Sequence, residues 1–527
     1  MTSAASATAA TFATDIERVV IVGGGTAGWM TAAALSRYLR NGRREIVLVE
    51  SDAIGTVGVG EATIPPLRTF NAMLDIPENE FLRETRGTFK LGIEFVNWGR
   101  VGDAYLHPFG AYGQDLHGVD FHQLYLRERG RADPGPIQDY AMSAVAAKAG
   151  KFARPGPQAQ SVLSQIFYAF HFDAGLYAAY LRRLSERQGT KRIEGKIDRV
   201  LRNGETGDVT AVELEDGRQV EGDLFIDCSG FRGLLIEQEL ETGYTDWSHW
   251  LPMDRAIAVP TANVGSPHPY TRATAHGAGW QWRIPLQHRT GNGHVFSSRF
   301  MDSDEARAIL LDHVEGEPLA EPRELRFATG MRNRAWSNNV VAIGLSSGFI
   351  EPLESTSIHM IQVGISRLLA YFPDKQISPV ERDEYNRGIR ELYEDVRDFI
   401  ILHYKATQRD DTPFWRYVRD MDVPESLARK LELWRLHGRA FRENVELFNA
   451  TSWVAVLLGQ NVWPDRYDPI ADSLDEERVA QAMRQMRASY RDAAARMPGQ
   501  EQFLRQAGAW HNETLRTGGT VMAGAGR

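Results

Sequence analysis

One cysteine, Cys228, stands among 527 residues, so no intrachain disulfide can form and a reducing compartment, by default the cytoplasm, is expected. No apolar run is long enough to cross a bilayer. The first residues, Met1 to Asp15, are rich in Ala, Ser and Thr but have neither a basic start nor an apolar stretch. They are expected to be a disordered tail (1–15) rather than a secretory signal. There is no basic block: 60 Lys and Arg against 69 Asp and Glu leave a formal charge of −9. Nucleic acid and anionic membrane are therefore not expected as partners. Internal repeats are absent, and no metal site is assigned. With 43% hydrophobic and 24% charged residues the chain reads as soluble and globular, long enough for one large two-part domain or for two to three.

The N-terminal stretch is the most regular. Glu17-Arg18-Val19-Val20-Ile21-Val22 is a short apolar run, as in a buried parallel strand, and leads straight into glycines. Thr26 to Arg40 has helical periodicity, and Glu45 to Glu50 is a second apolar strand closing a βαβ unit. Between them, Gly23-Gly24-Gly25-Thr26-Ala27-Gly28 fits G-x-G-x-x-G. Gly23 permits the tight turn, Gly25 lets the backbone approach a pyrophosphate, and Gly28 allows close helix packing. The helix start offers unpaired N–H groups to that pyrophosphate, and Glu50 stands where it can accept ribose hydroxyls.

Further along, a helix is expected over Phe172 to Gln188 and hairpin strands over Val209 to Phe225 around Glu215-Asp216-Gly217. Buried strands are expected at Leu224 to Gly230 and Val340 to Gly344, antiparallel strands between 255 and 300, and a helix starting at Ser355 with that serine as its cap. Residues 70 to 160 resist assignment. Pro379 to Gln506 reads as mostly helical. In Gly279-Trp280-Gln281-Trp282-Arg283-Ile284-Pro285, strand alternation puts both indoles on one face, and Pro285 ends the strand.

These features together, with Pro352-Leu353-Glu354-Ser355-Thr356, resemble the flavin-dependent halogenases of the tryptophan halogenase family, whose hallmark reads Gly-Trp-x-Trp-x-Ile-Pro. The resemblance implies an α/β fold: a Rossmann-like FAD-binding domain of the flavin monooxygenase type, with an inserted β-rich segment and a mainly helical C-terminal substrate module. The boundaries expected are a discontinuous core over 16–378 and the helical module over 379–527. In the family, reduced FAD and oxygen give a flavin hydroperoxide that oxidises chloride or bromide. The resulting hypohalous acid travels to an electron-rich aromatic such as indole.

Residue by residue, the resemblance points to Lys90 as the lysine that holds the oxidant and to Glu354 as the acid beside it. An ammonium between Phe89 and Leu91 would be partly desolvated, which lowers its pKa. It adds Glu61 (in Gly58-Val59-Gly60-Glu61, like the strap over the flavin), Leu345 and Ile358 to the cofactor pocket. The N–H groups of Thr356 and Ser357 suit a halide, although many members have glycine where this chain has Ser357. His107, Phe109 and Trp453 look like the aromatic substrate wall. The paired tyrosines and acid that grip free tryptophan are not recognisable between Phe441 and Trp453, so free tryptophan is not the expected substrate. One dinucleotide fingerprint implies that FADH2 comes from a separate NAD(P)H-dependent flavin reductase. A homodimer stays open. The nearest rival is a flavin-dependent aromatic monooxygenase, which the Trp pair, Lys90 and Glu354 disfavour. A non-catalytic flavin-binding protein is the other alternative.

Overall fold

The computed structural model describes residues 15–39, 43–54, 60–156, 161–443 and 445–511. The N-terminal βαβ reading holds: strands Arg18–Val22 and Glu45–Glu50 flank helix α1, Thr26–Tyr38. Both strands lie in a six-stranded sheet with Lys191–Glu194 beyond the second and Leu224–Asp227 beside the first. Val340–Ala342 continues it, and Trp336–Ser337 closes that edge as the one antiparallel member. Val20 pairs in register with Val47 on one side and Phe225 on the other. These interior strands are apolar along most of their length, as burial on both faces requires. Nearly all of the expected tail lies outside the described residues, while Asp15 pairs with Asp374.

A seven-stranded sheet forms the second layer. Its order is Arg323–Arg326, Arg255–Thr261, Thr290–Phe296, Gly279–Pro285, Thr271–Ala275, Gly92–Val96, Ala104–Pro108. The expected antiparallel run between 255 and 300 is there. It recruits two strands from the unassigned 70–160 region through a parallel pairing of Thr271–Ala275 with Gly92–Val96. A small antiparallel sheet of Gly60–Ala62, Ala169–Asp173 and Thr88–Lys90 lies alongside.

Two expectations fail locally. Phe172 and Asp173 belong to a strand, and the helix begins at Ala174, where the Asp173 side chain accepts from the Leu176 N–H. Ser355 does not cap a helix. It has φ +60°, in the left-handed region, and helix α2 spans Ser357–Ala370 after it. Helix α3, Pro379–Lys405, opens the helical C-terminal stretch, which includes α4, Ala450–Gly459. No helix among the described residues is long and apolar enough to cross a membrane.

Candidate active site

The glycine turn is shaped for a dinucleotide. Gly23 has φ +107°, which a side chain would strain. A β-carbon on Gly28 would sit 1.9 Å from the Gly23 carbonyl oxygen, so only hydrogen lets α1 pack there. Beside Gly25 the space is open, with nothing within 4 Å of where its β-carbon would be. That is where a pyrophosphate would meet the start of α1. Glu50 lies over Gly24 and is held by Arg192, and Thr26 and Ala27 form the first turn of the helix. Leu345 sits in a half-buried turn, Gly344–Ser346, and Ile358 is buried in the first turn of α2. Glu61 is half-buried; burial, helped by the charge of Asp173, raises its pKa to about 7. Gly58 and Val59 of the expected strap lie outside the described residues.

Lys90 ends the strand Thr88–Lys90 with 0% exposure. Its Nζ donates to Ser355 Oγ at 2.8 Å and lies 5.3 Å from the Phe109 ring. Burial brings the amine down to about 7, against the pull of the Glu354 charge. The left-handed turn at Ser355 is what aims its hydroxyl at this amine while Glu354, one residue earlier, faces elsewhere.

Glu354 is 1% exposed. Its Oε1 takes His107 Nδ1 at 2.9 Å and His403 Nε2 at 2.8 Å. Burial alone would raise this carboxyl, but the two imidazoles hold it down at about 2. Three residues upstream, Glu351 is also buried, and its Oε1 accepts from Trp280 Nε1 at 2.9 Å and from the Tyr404 hydroxyl. Burial raises Glu351 to about 7, with both donors opposing. The end of α3 therefore clamps the turn twice, His403 on Glu354 and Tyr404 on Glu351. Trp280 and Trp282 share a face as expected, with ring centroids 6.1 Å apart. Gly293, opposite Trp282, leaves room for its indole, since a β-carbon there would come within 2.1 Å of the ring.

Glu351 Oε2, Thr356 Oγ1 and His359 Nδ1 are buried without hydrogen-bond partners among the described residues. Buried polar atoms left unpaired call for a partner such as a water or an ion. Thr356 precedes α2 and Ser357 is its first residue.

A cavity of about 1060 Å³ opens beside Glu354, with His107, Phe109, Phe167, His359 and Phe448 in its wall. Lys90, Glu354, His107 and Phe109 thus come together as the sequence suggested, but His107 holds the acid as well as lining the cavity. Trp453 does not line it. Its ring backs Phe399 at 5.4 Å, and Phe448 stacks on the same Phe399 at 3.8 Å. Sequence reasoning missed His403. The available signal was a histidine directly after the apolar run Phe399-Ile400-Ile401-Leu402, where an unpaired imidazole would be costly.

A family model described as tryptophan halogenase matches residues 18–476. The flavin-dependent halogenase BrvH from Brevundimonas sp. BAL3 superposes with a TM-score of 0.90 at 48% identity, covering 93% of this chain and 99% of that one. Xcc4156, a flavin-dependent halogenase from Xanthomonas campestris, gives 0.89 at 48% identity, with 93% and 98% covered. Tryptophan 7-halogenase RebH from Lentzea aerocolonigenes is 34% identical over 93% of this chain and 98% of its own length.

Proposed function

The chain belongs to the tryptophan halogenase family and is a flavin-dependent halogenase; from that premise we propose that Lys90 and Glu354 direct oxidised chloride or bromide onto a neutral indole. The Gly23–Gly28 turn would hold the flavin, which when bound in its reduced form would supply, with oxygen, the two-electron oxidation of the halide. Everything else falls to the chain's own groups. Thr356 and Ser357 offer helix-start N–H groups to the halide, and the orphaned Thr356 Oγ1 supports that placement.

Lys90 is the observation that carries the reading: a fully buried amine with one hydrogen bond, to Ser355 Oγ, and a pKa brought near neutrality. In its neutral form it can take halogen from hypohalous acid and release water. As an ammonium it can hydrogen-bond that acid instead. Glu354, on the cavity wall, supplies negative charge where the attacked ring becomes cationic. His107, Phe109 and Phe448 make the flat wall for the ring, with Trp453 supporting it from behind Phe399.

The indole preference follows from the rim. Glu443 is engaged by Arg429 and Glu446 by Lys430, so the acids of that segment are already paired. A segment whose acids are already paired leaves no carboxylate there for a substrate ammonium, which favours a substrate with no zwitterion to desolvate. The test is product mass with chemically reduced FAD, oxygen and bromide or chloride, comparing indole with free tryptophan. Indole should turn over faster. Tryptophan turning over much faster would overturn the substrate reading.

A further inference from the structure

His403 makes two contacts that fix its protons. Its Nδ1 lies 2.8 Å from the Phe399 carbonyl oxygen, and its Nε2 lies 2.8 Å from Glu354 Oε1. A carbonyl oxygen only accepts, so Nδ1 carries a hydrogen. A neutral ring would then point a bare lone pair from Nε2 at a carboxyl oxygen. The contact therefore holds one further proton.

Its place is decided by the second imidazole. His107 Nδ1 reaches the same Oε1 at 2.9 Å. Two N–H donors converging on one oxygen suit an ionised carboxylate, whereas a protonated oxygen is a poor acceptor for either. The ring of His403 also lies among aromatic rings, 5.0 Å from Phe95 and from Phe399 and 6.1 Å from Trp98. Such a nest tolerates a cation. Gln460 Nε2 bonds the His403 carbonyl at 2.9 Å and fixes the end of α3. Both imidazoles meet Oε1, while Oε2 has no hydrogen bond from the described residues.

We propose that His403 is a positioning residue, an imidazolium that pins Oε1 of Glu354 and, with His107, presents an ionised Oε2 to the aromatic ring. This rests on the role proposed above for Glu354. The titratable groups facing that carboxylate are His107 and Tyr105 from Ala104–Pro108, Lys90 from Thr88–Lys90, and His403 from α3. Remove the His403 charge and burial is less strongly opposed, so the carboxyl pKa rises. The ionised fraction must then fall as pH falls.

The experiment compares wild type, His403→Phe and His403→Gln for halogenation rate between pH 8 and pH 6, with flavin binding measured alongside. The ratio to wild type removes only the part of the Lys90 titration that the variants share, since the Lys90 amine also follows the Glu354 charge. His403→Phe should lose roughly tenfold or more at pH 8. His403→Gln, which returns an N–H near Nε2, should recover most of that loss. For both variants the ratio should fall further toward pH 6, because neither carries the charge. A ratio constant with pH would show a merely structural role and overturn the proposal.

Should the variants not fold, 15N-histidine NMR of the wild-type holoenzyme at pH 8 decides the matter. One buried imidazole must carry protons on both nitrogens, and its absence overturns the proposal. Full activity of Glu354→Gln would instead sink the role given to Glu354.

Discussion

Lys90 is surrounded by protein, and its answer to pH follows from that. Burial places its amine near 7, against the opposing charge of Glu354. If the neutral amine receives the halogen, product formation should fall about tenfold from pH 8 to pH 6 as the ammonium form takes over. Lys90→Met should cost on the order of a hundredfold or more and abolish that limb while flavin still binds. A wild-type profile flat across this window would rule out the amine as acceptor. The partner of this lysine has a constraint of its own. Ser355 is a non-glycine residue with φ +60°, a conformation that costs an L-residue about 1 kcal/mol. Ser355→Ala and Ser355→Gly both remove the hydroxyl, but only glycine relieves the backbone. By thermal unfolding the glycine variant should be the more stable by about 1 kcal/mol, with halogenation equally low in both. Lys90 was legible through its motif and its apolar neighbours. The turn was not, because serine is a common helix cap and nothing in the sequence announces a left-handed φ.

At the scale of elements, the turn carrying Glu351 and Glu354 is held by the Trp280 strand on one side and the end of α3 on the other. Trp280→Phe removes the indole N–H from a buried carboxyl and should destabilise the fold by about 1–3 kcal/mol, with halogenation falling more than flavin affinity. Trp282→Phe is the internal comparison. The Trp282 Nε1 has no hydrogen-bond partner, so an equal loss of stability in both variants would show that ring packing, not the bond, matters at Trp280. The strand bearing the two tryptophans was readable from alternation and the terminal proline. What Trp280 bonds was not, since Glu351 lies 71 residues away. Gly92–Val96 and Ala104–Pro108 escaped because short strands amid turn-forming residues are defined by their neighbours, here a parallel partner near residue 271. Phe172 was misread because its strand runs without a gap into the helix at Ala174. His403 sits on a recognisable helix, but helical periodicity does not say which buried group a histidine will meet.

Taken whole, the described residues hold one dinucleotide-type strand–turn–helix, which the proposed function gives to the flavin. The expected outcome is that the purified chain with NADH and FAD yields little halogenated product, and that adding any flavin reductase restores it. Brisk NADH oxidation by the chain alone would contradict this. The nucleotide sheet was readable from sequence because its first βαβ unit is local. The substrate cavity was not, because its wall draws on distant stretches, and Trp453 was placed in that wall when it stands behind Phe399. That dispersal has a kinetic consequence. The Lys90–Ser355 bond joins positions 265 apart and the His107–Glu354 bond positions 247 apart, whereas the strand, turn, helix and second strand of the glycine cradle all lie between Arg18 and Glu50. Contacts of long sequence separation form late, after loop closure has been overcome. On dilution from denaturant, quenching of flavin fluorescence should recover before halogenation does. The interval between the two would be a clock for the last closure of the chain, and simultaneous recovery would mean that the cradle, for all its local sequence, waits for the rest of the molecule.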